Sequence, residues 1–213
     1  MKQLILSFIL FFICIQIHAQ THQVRIETNM GKIDVMLYDS TPLHRDNFMK
    51  LVQDHFYDSL LFHRVIKGFV IQAGDPTSKY APDTALLGDG DLPYTIPAEL
   101  NPNYYHKKYA FAQARDNNPQ KASSACQFYI VQGSIPNDST YAKAKMRSGY
   151  DVPLEHKIEY EKWGGTPQLD MSYTVYGEVI KGFAVIDKIA SVATDKNDRP
   201  KQAVRIIKCS IIK

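Results

Sequence analysis

From His22 to Thr28 the chain reads His-Gln-Val-Arg-Ile-Glu-Thr, and after Asn29-Met30-Gly31 a second alternation of polar and apolar residues runs through Lys32-Ile-Asp-Val-Met-Leu-Tyr38. Period two on both sides of a glycine turn predicts a β-hairpin. The period then changes. Pro42 suits the first helical position, and Phe48, Leu51 and Val52 follow at helical spacing, so a helix with one buried face is predicted over 42–53, with Thr41 as its N-cap. Short β-rich runs follow over 60–65, 69–73, 109–114, 126–131 and 174–180; a short helix is predicted over 183–190 and a closing strand over 204–211. Many short strands broken by Gly, Pro and Asn, with few helices, favour a mainly β barrel or sandwich over alternating β-α-β units. No internal repeat or low-complexity linker divides the chain.

Residues 134–166 differ in kind. They are polar, Pro153 opens a helix in which Leu154 and Ile158 fall one turn apart, and Gly164-Gly165 ends it. Glu155, Lys157, Glu159, Glu161 and Lys162 give this segment a charged face, which reads as a solvated surface insertion. The N-terminus carries another signature: Lys2, an almost unbroken apolar run over 4–15, and the small residue Ala19 ahead of Gln20. This reads as a secretory signal over 1–19, leaving one domain over 20–213. The apolar run falls well short of the ~20 residues that span a bilayer. A protein exported to a periplasm or beyond, with no stable membrane span in its mature form, is therefore expected.

Composition narrows the classes. Of 213 residues, 45% are hydrophobic and 22% charged, which suits a globular core rather than a disordered tail. The net charge of +3 is not gathered into a basic stripe, so a dedicated nucleic-acid binder is not indicated. Beyond the signal only Cys126 and Cys209 remain, and two buried thiols are the expectation for a domain large enough to fold without staples. Gly-rich phosphate loops, His-Glu-x-x-His and Cys-x-x-Cys are all missing from the sequence, and Gly88-Asp-Gly-Asp-Leu92 reads as a turn. A hydrolase is conceivable from Ser123 or Ser124 with His63 and Asp75, or from Cys126 with His63, but no Gly-x-Ser-x-Gly elbow supports it.

The informative stretch is Phe62-His-Arg-Val-Ile-Lys-Gly-Phe-Val-Ile-Gln-Ala-Gly-Asp75. Three further stretches follow in order: Ala112-Gln-Ala-Arg115, Ser124-Ala-Cys-Gln-Phe-Tyr-Ile130, and Leu169-Asp-Met-Ser-Tyr-Thr-Val-Tyr-Gly-Glu-Val179. Together they resemble the cyclophilin family of peptidyl-prolyl cis-trans isomerases, from about residue 24 to the end with 134–166 excepted, and most resemble exported bacterial members carrying a helical insertion. The resemblance implies a closed eight-stranded antiparallel barrel capped by two helices. It also implies that Arg64 is catalytic, with Phe69 and Gln72 beside it, and that Phe69, Val70, Tyr129 and Leu169 wall a proline pocket. By the same resemblance Gln72 and Gln127 orient the substrate backbone, Ala114 and Arg115 border the peptide, and Tyr173 takes the place of a His common in eukaryotic members. Gln168 stands where those members carry a Trp tied to tight cyclosporin binding, Tyr129 brings a hydroxyl that needs a partner, and Cys126 replaces a usual Ser. The expected protein is a cofactor-free, metal-free monomer acting on X-Pro polypeptides and assisting the folding of exported proteins. Its rival is a peptide-binding or chaperone module of the same fold with little catalysis.

Overall fold

The computed structural model describes residues 22–212, and the signal-like segment lies outside the described residues. The hairpin forms as the alternation predicts, with β1 (His22–Thr28) against β2 (Gly31–Leu37) and Val24 opposite Val35. Then come α1 (Pro42–Gln53), β3 (Phe62–Ile66), β4 (Val70–Ala73), the short β5 (Thr95–Ile96), β6 (Ala110–Gln113), the short β7 (Ser123–Ser124) and β8 (Phe128–Val131). The chain continues through α2 (Asp138–Ser148), α3 (Leu154–Trp163), β9 (Val175–Lys181), α4 (Phe183–Ala190) and β10 (Ile206–Ile212). Eight strands make one antiparallel sheet in the order β10-β1-β2-β9-β6-β8-β4-β3, and β5 pairs separately with β7.

This corrects the expected closed barrel. The sheet curls as a half-barrel whose edge strands β3 and β10 share no strand ladder. Their nearest link is an isolated bridge, Leu61 to Arg205, flanked by Phe62 N–H to Val204 O at 2.9 Å and Ile206 N–H to Leu60 O at 2.8 Å.

The middle strands are apolar on both faces. Ile71, Ala73, Phe111, Phe128, Ile130 and Tyr176 point into the main core, while Val70, Ala110, Ala112, Tyr129, Val131 and Val175 form a second cluster on the opposite face. Strands buried on both sides lose polar alternation, so β8 and the first three residues of β6 read as continuous apolar runs. Helix α1 drives Phe48 into the main core, with ring centroids 4.9 Å from Tyr57 and 5.0 Å from Phe111. Helix α4 adds Ile186, Ile189 and Ala190 to the same core.

Thr41 occupies the N-cap position of α1, but its side chain donates to Tyr38 O and makes no cap bond. Glu99 does the capping from another part of the chain: its carboxylate accepts the N–H groups of Leu43 and His44 at 3.1 and 3.0 Å. A carboxylate there meets both the unpaired donors and the positive end of the helix dipole.

Residues 134–166 hold two helices where one was expected. Helix α2 starts on a capping box between Asn137 and Thr140 and ends at Gly149, whose φ of 72° is the left-handed conformation that favours glycine. In α3 the expected apolar pair is outside: Leu154 and Ile158 are 71% and 56% exposed. The buried side carries His156 and Tyr160 instead, because Tyr160 reaches an internal carboxylate and His156 stacks on Tyr105 with centroids 3.8 Å apart. No helix among the described residues is long and apolar enough to cross a membrane.

His63 on β3 is 3% exposed, and neither ring nitrogen has a hydrogen-bond partner among the described residues. Burial pushes its pKa down to about 4, with Asp75 pulling the other way. The folded protein therefore keeps His63 neutral while the unfolded chain binds a proton below about pH 6.5. Stability is full above that pH and falls as pH drops toward 4. Between pH 7.5 and 4.5, His63→Leu should lose about 2–3 kcal/mol less unfolding free energy than the parent protein, measured by urea denaturation. Equal losses in the two proteins would remove His63 as the cause.

Candidate active site

Cross-strand register builds the site. Arg64 on β3 lies opposite Gln72 on β4, Gln72 lies opposite Tyr129 on β8, and Tyr129 lies opposite Ala112 on β6. Residues directly opposite in an antiparallel ladder share a face. This row therefore stands on the outer side of the sheet, away from the Phe48 core. One step along β4, Val70 pairs with Val131, and Phe69 leaves the Gly68 turn just before it.

Arg64, Gln72 and Tyr129 of this row border an open cavity of about 290 Å³. Arg64, Phe69, Val70, Gln72, Ala114, Arg115, Tyr129, Leu169 and Tyr173 all line it, so nine of the ten expected residues come together. Gln127 differs. It sits in an adjoining pocket that shares Gln72, Ala114 and Arg115 with the first.

The amide of Gln127 is already engaged. Its Nε2 donates to the carbonyls of Gly88 and Gly90 at 2.8 and 2.7 Å, and its Oε1 accepts from Gln72 Nε2 at 3.0 Å. Gln127 therefore positions Gln72 rather than offering free donors to a ligand. Gly74 lets the Cys126–Gln127 backbone pass close beside it, since a Cβ there would meet Cys126 O at 2.2 Å. Gln72 Oε1 in turn accepts from Arg64 Nη1 at 3.4 Å, and Asp198 lies 3.7 Å from Arg64 Nε. These long contacts steady the guanidinium while leaving donors for a ligand.

Tyr129 finds the partner its hydroxyl needs. His106 Nε2 is 2.9 Å from it, and His106 Nδ1 is 2.9 Å from Asp170 Oδ1. A carboxylate only accepts, so Nδ1–H donates to Asp170, which turns Nε2 toward the Tyr129 hydroxyl. Asp170 also accepts the backbone N–H of His106 at 2.9 Å and the Tyr160 hydroxyl at 2.8 Å. All four groups are buried, and burial holds the phenols of Tyr129 and Tyr160 well above their usual pKa. The chain Tyr160–Asp170–His106–Tyr129 ties α3 to the cavity wall. Of its first three members, Asp170 lies in the Leu169–Val179 stretch, while Tyr160 and His106 carry no local sequence signal.

On the opposite rim, Arg115 donates through Nε to Ser172 O at 2.7 Å and through Nη1 to Asp116 O at 2.9 Å, with its guanidinium 4.8 Å from the Tyr173 ring centroid. Arg147, from the last turn of α2, also lines the cavity. Reading 134–166 as a solvated surface overlooks it, although Asn137 and Gly149 are cap signals that delimit its helix.

The hydrolase arrangement does not assemble. Neither His63 ring nitrogen has a hydrogen-bond partner among the described residues, and Asp75 is occupied by the N–H groups of Thr77 and Gly88. Ser123 instead meets His44 Nε2 at 2.9 Å, and His44 Nδ1 lies 2.6 Å from Glu99. Ser123 and His44 are 0% and 1% exposed, so this trio braces α1 and no substrate reaches it. Cys126 and Cys209 are free and buried; burial raises both thiols, which keeps them protonated.

Removing the Tyr160 hydroxyl leaves a buried carboxylate short of a donor, and Tyr160→Phe should lower unfolding free energy by about 1.5–3 kcal/mol. Urea denaturation measures it, and a loss below about 0.5 kcal/mol would mean that water replaces the bond.

Residues 23–211 match the family model described as cyclophilin type peptidyl-prolyl cis-trans isomerase/CLD. A putative bifunctional phosphatase/peptidyl-prolyl cis-trans isomerase of Streptococcus pyogenes is 35% identical over 199 residues, spanning 90% of this chain and 39% of that longer protein. The peptidyl-prolyl cis-trans isomerase ppi1 of Schizosaccharomyces pombe is 29% identical over 186 residues, 87% of this chain and 96% of its own. A solved cyclophilin type isomerase of Cryptosporidium parvum superposes with a TM-score of 0.67 at 25% identity, covering 91% of this chain and 98% of that one. A second structure of that protein, determined in the presence of the dipeptide Ala-Pro, gives a TM-score of 0.63. With a matching family model over nearly all of the described residues and the matching half-barrel, the chain belongs to the cyclophilin-type peptidyl-prolyl cis-trans isomerases.

Proposed function

We propose that the cavity binds the proline ring of an X-Pro segment and that Arg64 is the catalytic group. The observation that carries this is Arg64 at the rim of a cavity walled by Phe69, Val70, Tyr129 and Leu169, steadied by Gln72 and Asp198 with donors to spare. Rotation about a prolyl amide is slow because the C–N bond has partial double-bond character, with a barrier of about 18–20 kcal/mol. No bond breaks, so the protein needs only to bind the twisted amide better than either planar form. As the amide twists, its nitrogen gains a lone pair, and the guanidinium donates to that nitrogen or steadies the carbonyl. An arginine stays charged at any working pH and presents its donors in a fixed fork. The apolar walls hold the ring and exclude water, which strengthens that interaction.

Gln72 and the Ala114–Arg115 edge take the flanking backbone, with Gln127 holding Gln72 in place. Lys2, the almost unbroken apolar run over 4–15 and Ala19 ahead of Gln20 support export, and uncatalysed isomerisation takes about 10–100 s at 25 °C, slow enough to limit folding of exported chains. The protein acts there as a cofactor-free monomer that assists folding, and 134–166 is a helical insertion in the family fold.

The decisive measurement is the cis-to-trans rate of a short X-Pro peptide with parent protein and with Arg64→Ala. The variant should stay folded and lose about 10²-fold in kcat/KM, the scale of one removed charge-stabilising donor. A loss of twofold or less would refute the role of Arg64. A folded parent protein that binds the peptide without accelerating it would instead be a binding module.

A further inference from the structure

Three guanidiniums border the cavity, those of Arg64, Arg115 and Arg147; among the described residues no carboxylate lines it, and Asp198 lies 3.7 Å from Arg64 Nε alone. Arg115 spends two donors on the neutral carbonyls of Ser172 and Asp116, which fixes its place without offsetting its charge. Arg147 takes part in no ion pair among the described residues; the basic neighbour that does is Lys145, 2.7 Å from Asp151. Both Arg115 and Arg147 lie close enough to act electrostatically on the Tyr129 phenol at the cavity wall. The placement of Arg147 is built in. Ala144 buries one side of α2, and the helix packs on the 3₁₀ turn Pro167–Leu169, whose last residue is itself a cavity wall.

The adjoining pocket has the opposite sign. It shares Gln72, Ala114 and Arg115 with the cavity, but it is bordered by Asp89, Asp91 and Asp116. A peptide lying across both pockets passes from a carboxylate-lined end to an arginine-lined end. Fixed charges around a low-dielectric groove favour ligand charges of complementary sign and penalise like charges.

Resting on the isomerase reading of the cavity, we infer that this groove selects X-Pro segments by charge: an acidic side chain within two residues of the proline, on one flank only, is drawn to Arg147 and Arg115. On the other flank the same side chain meets Asp89, Asp91 and Asp116, where a basic residue is favoured. Arg147 is then a specificity-determining residue contributed by α2.

The test uses end-blocked peptides Ala-Xaa-Pro-Yaa-Ala in which Xaa or Yaa is Ala, Glu or Lys, with cis-trans exchange followed by NMR. On one flank the Glu peptide should exceed the Ala peptide in kcat/KM by about three- to fivefold, the scale of a partly exposed ion pair, and the Lys peptide should fall below it. The ratio should shrink toward one at high salt. In Arg147→Gln the Glu-to-Ala ratio should fall toward one, and in Arg147→Glu it should invert in favour of Lys; ratios within each variant cancel any general loss of activity. A ratio near one on both flanks of the parent protein, or a preference untouched by Arg147→Gln, would overturn the inference while leaving the isomerase intact. A gain seen only with peptides carrying a free C-terminal carboxylate would also overturn it, since the groove would then be reading a chain end. Failure to accelerate any peptide would remove the isomerase reading itself and this selection with it.

Discussion

The site depends on one register. Because side chains alternate across a strand, the pairing that sets Arg64 opposite Gln72, Gln72 opposite Tyr129 and Tyr129 opposite Ala112 also sends Ile71, Phe111, Phe128 and Ile130 to the other face, into the cluster around Phe48. A slip of one residue in β4 or β8 would put Gln72 or Tyr129 into that cluster and aliphatic residues into the cavity. Burying an unpaired amide costs about 1–3 kcal/mol, and the vacated aromatic contacts add to it. The apolar packing of the inner face therefore holds the polar arrangement of the outer one in place.

A second layer of constraint is polar and reaches further along the chain. Tyr129 belongs to the sheet, yet its hydroxyl is settled by His106 from a loop, Asp170 from the segment after α3, and Tyr160 from α3 itself. Each member satisfies the next, and buried polar groups tolerate no missing link without cost. The same segment that supplies this brace supplies Arg147, so α2 and α3 border the cavity electrostatically and support it mechanically.

Much of this was legible in the residues. Helices α1 and α4 fall where Pro42 and the spacing of Phe48, Leu51 and Val52, and the run after Gly182, place them. The expected site residues sit in motifs long enough to be read directly, and nine of the ten line one cavity. What escaped has physical reasons. Glu99 caps α1 from 55 residues away, a contact that only tertiary structure creates. His106 and Tyr160 resemble ordinary polar residues until the fold joins both to Asp170, and the engaged amide of Gln127 depends on the carbonyls of Gly88 and Gly90. In α3 the apolar spacing of Leu154 and Ile158 misled because the inward side is chosen by the Asp170 hydrogen bond rather than by hydrophobicity.

The place of β1 has a kinetic consequence. It lies between β2 and β10, with Gln23 facing Ile212 across the ladder. The first strand of the sheet thus receives its second neighbour from the last. In a chain made from its N-terminus, the β1 edge stays unpaired until residues 206–212 exist, and the entropy of closing so long a loop must be met before packing returns it. Assembly of this sheet therefore waits on residues 206–212, and the waiting edge strand, with its row of unpaired amides, is the stage at which the chain is most open to wrong pairing.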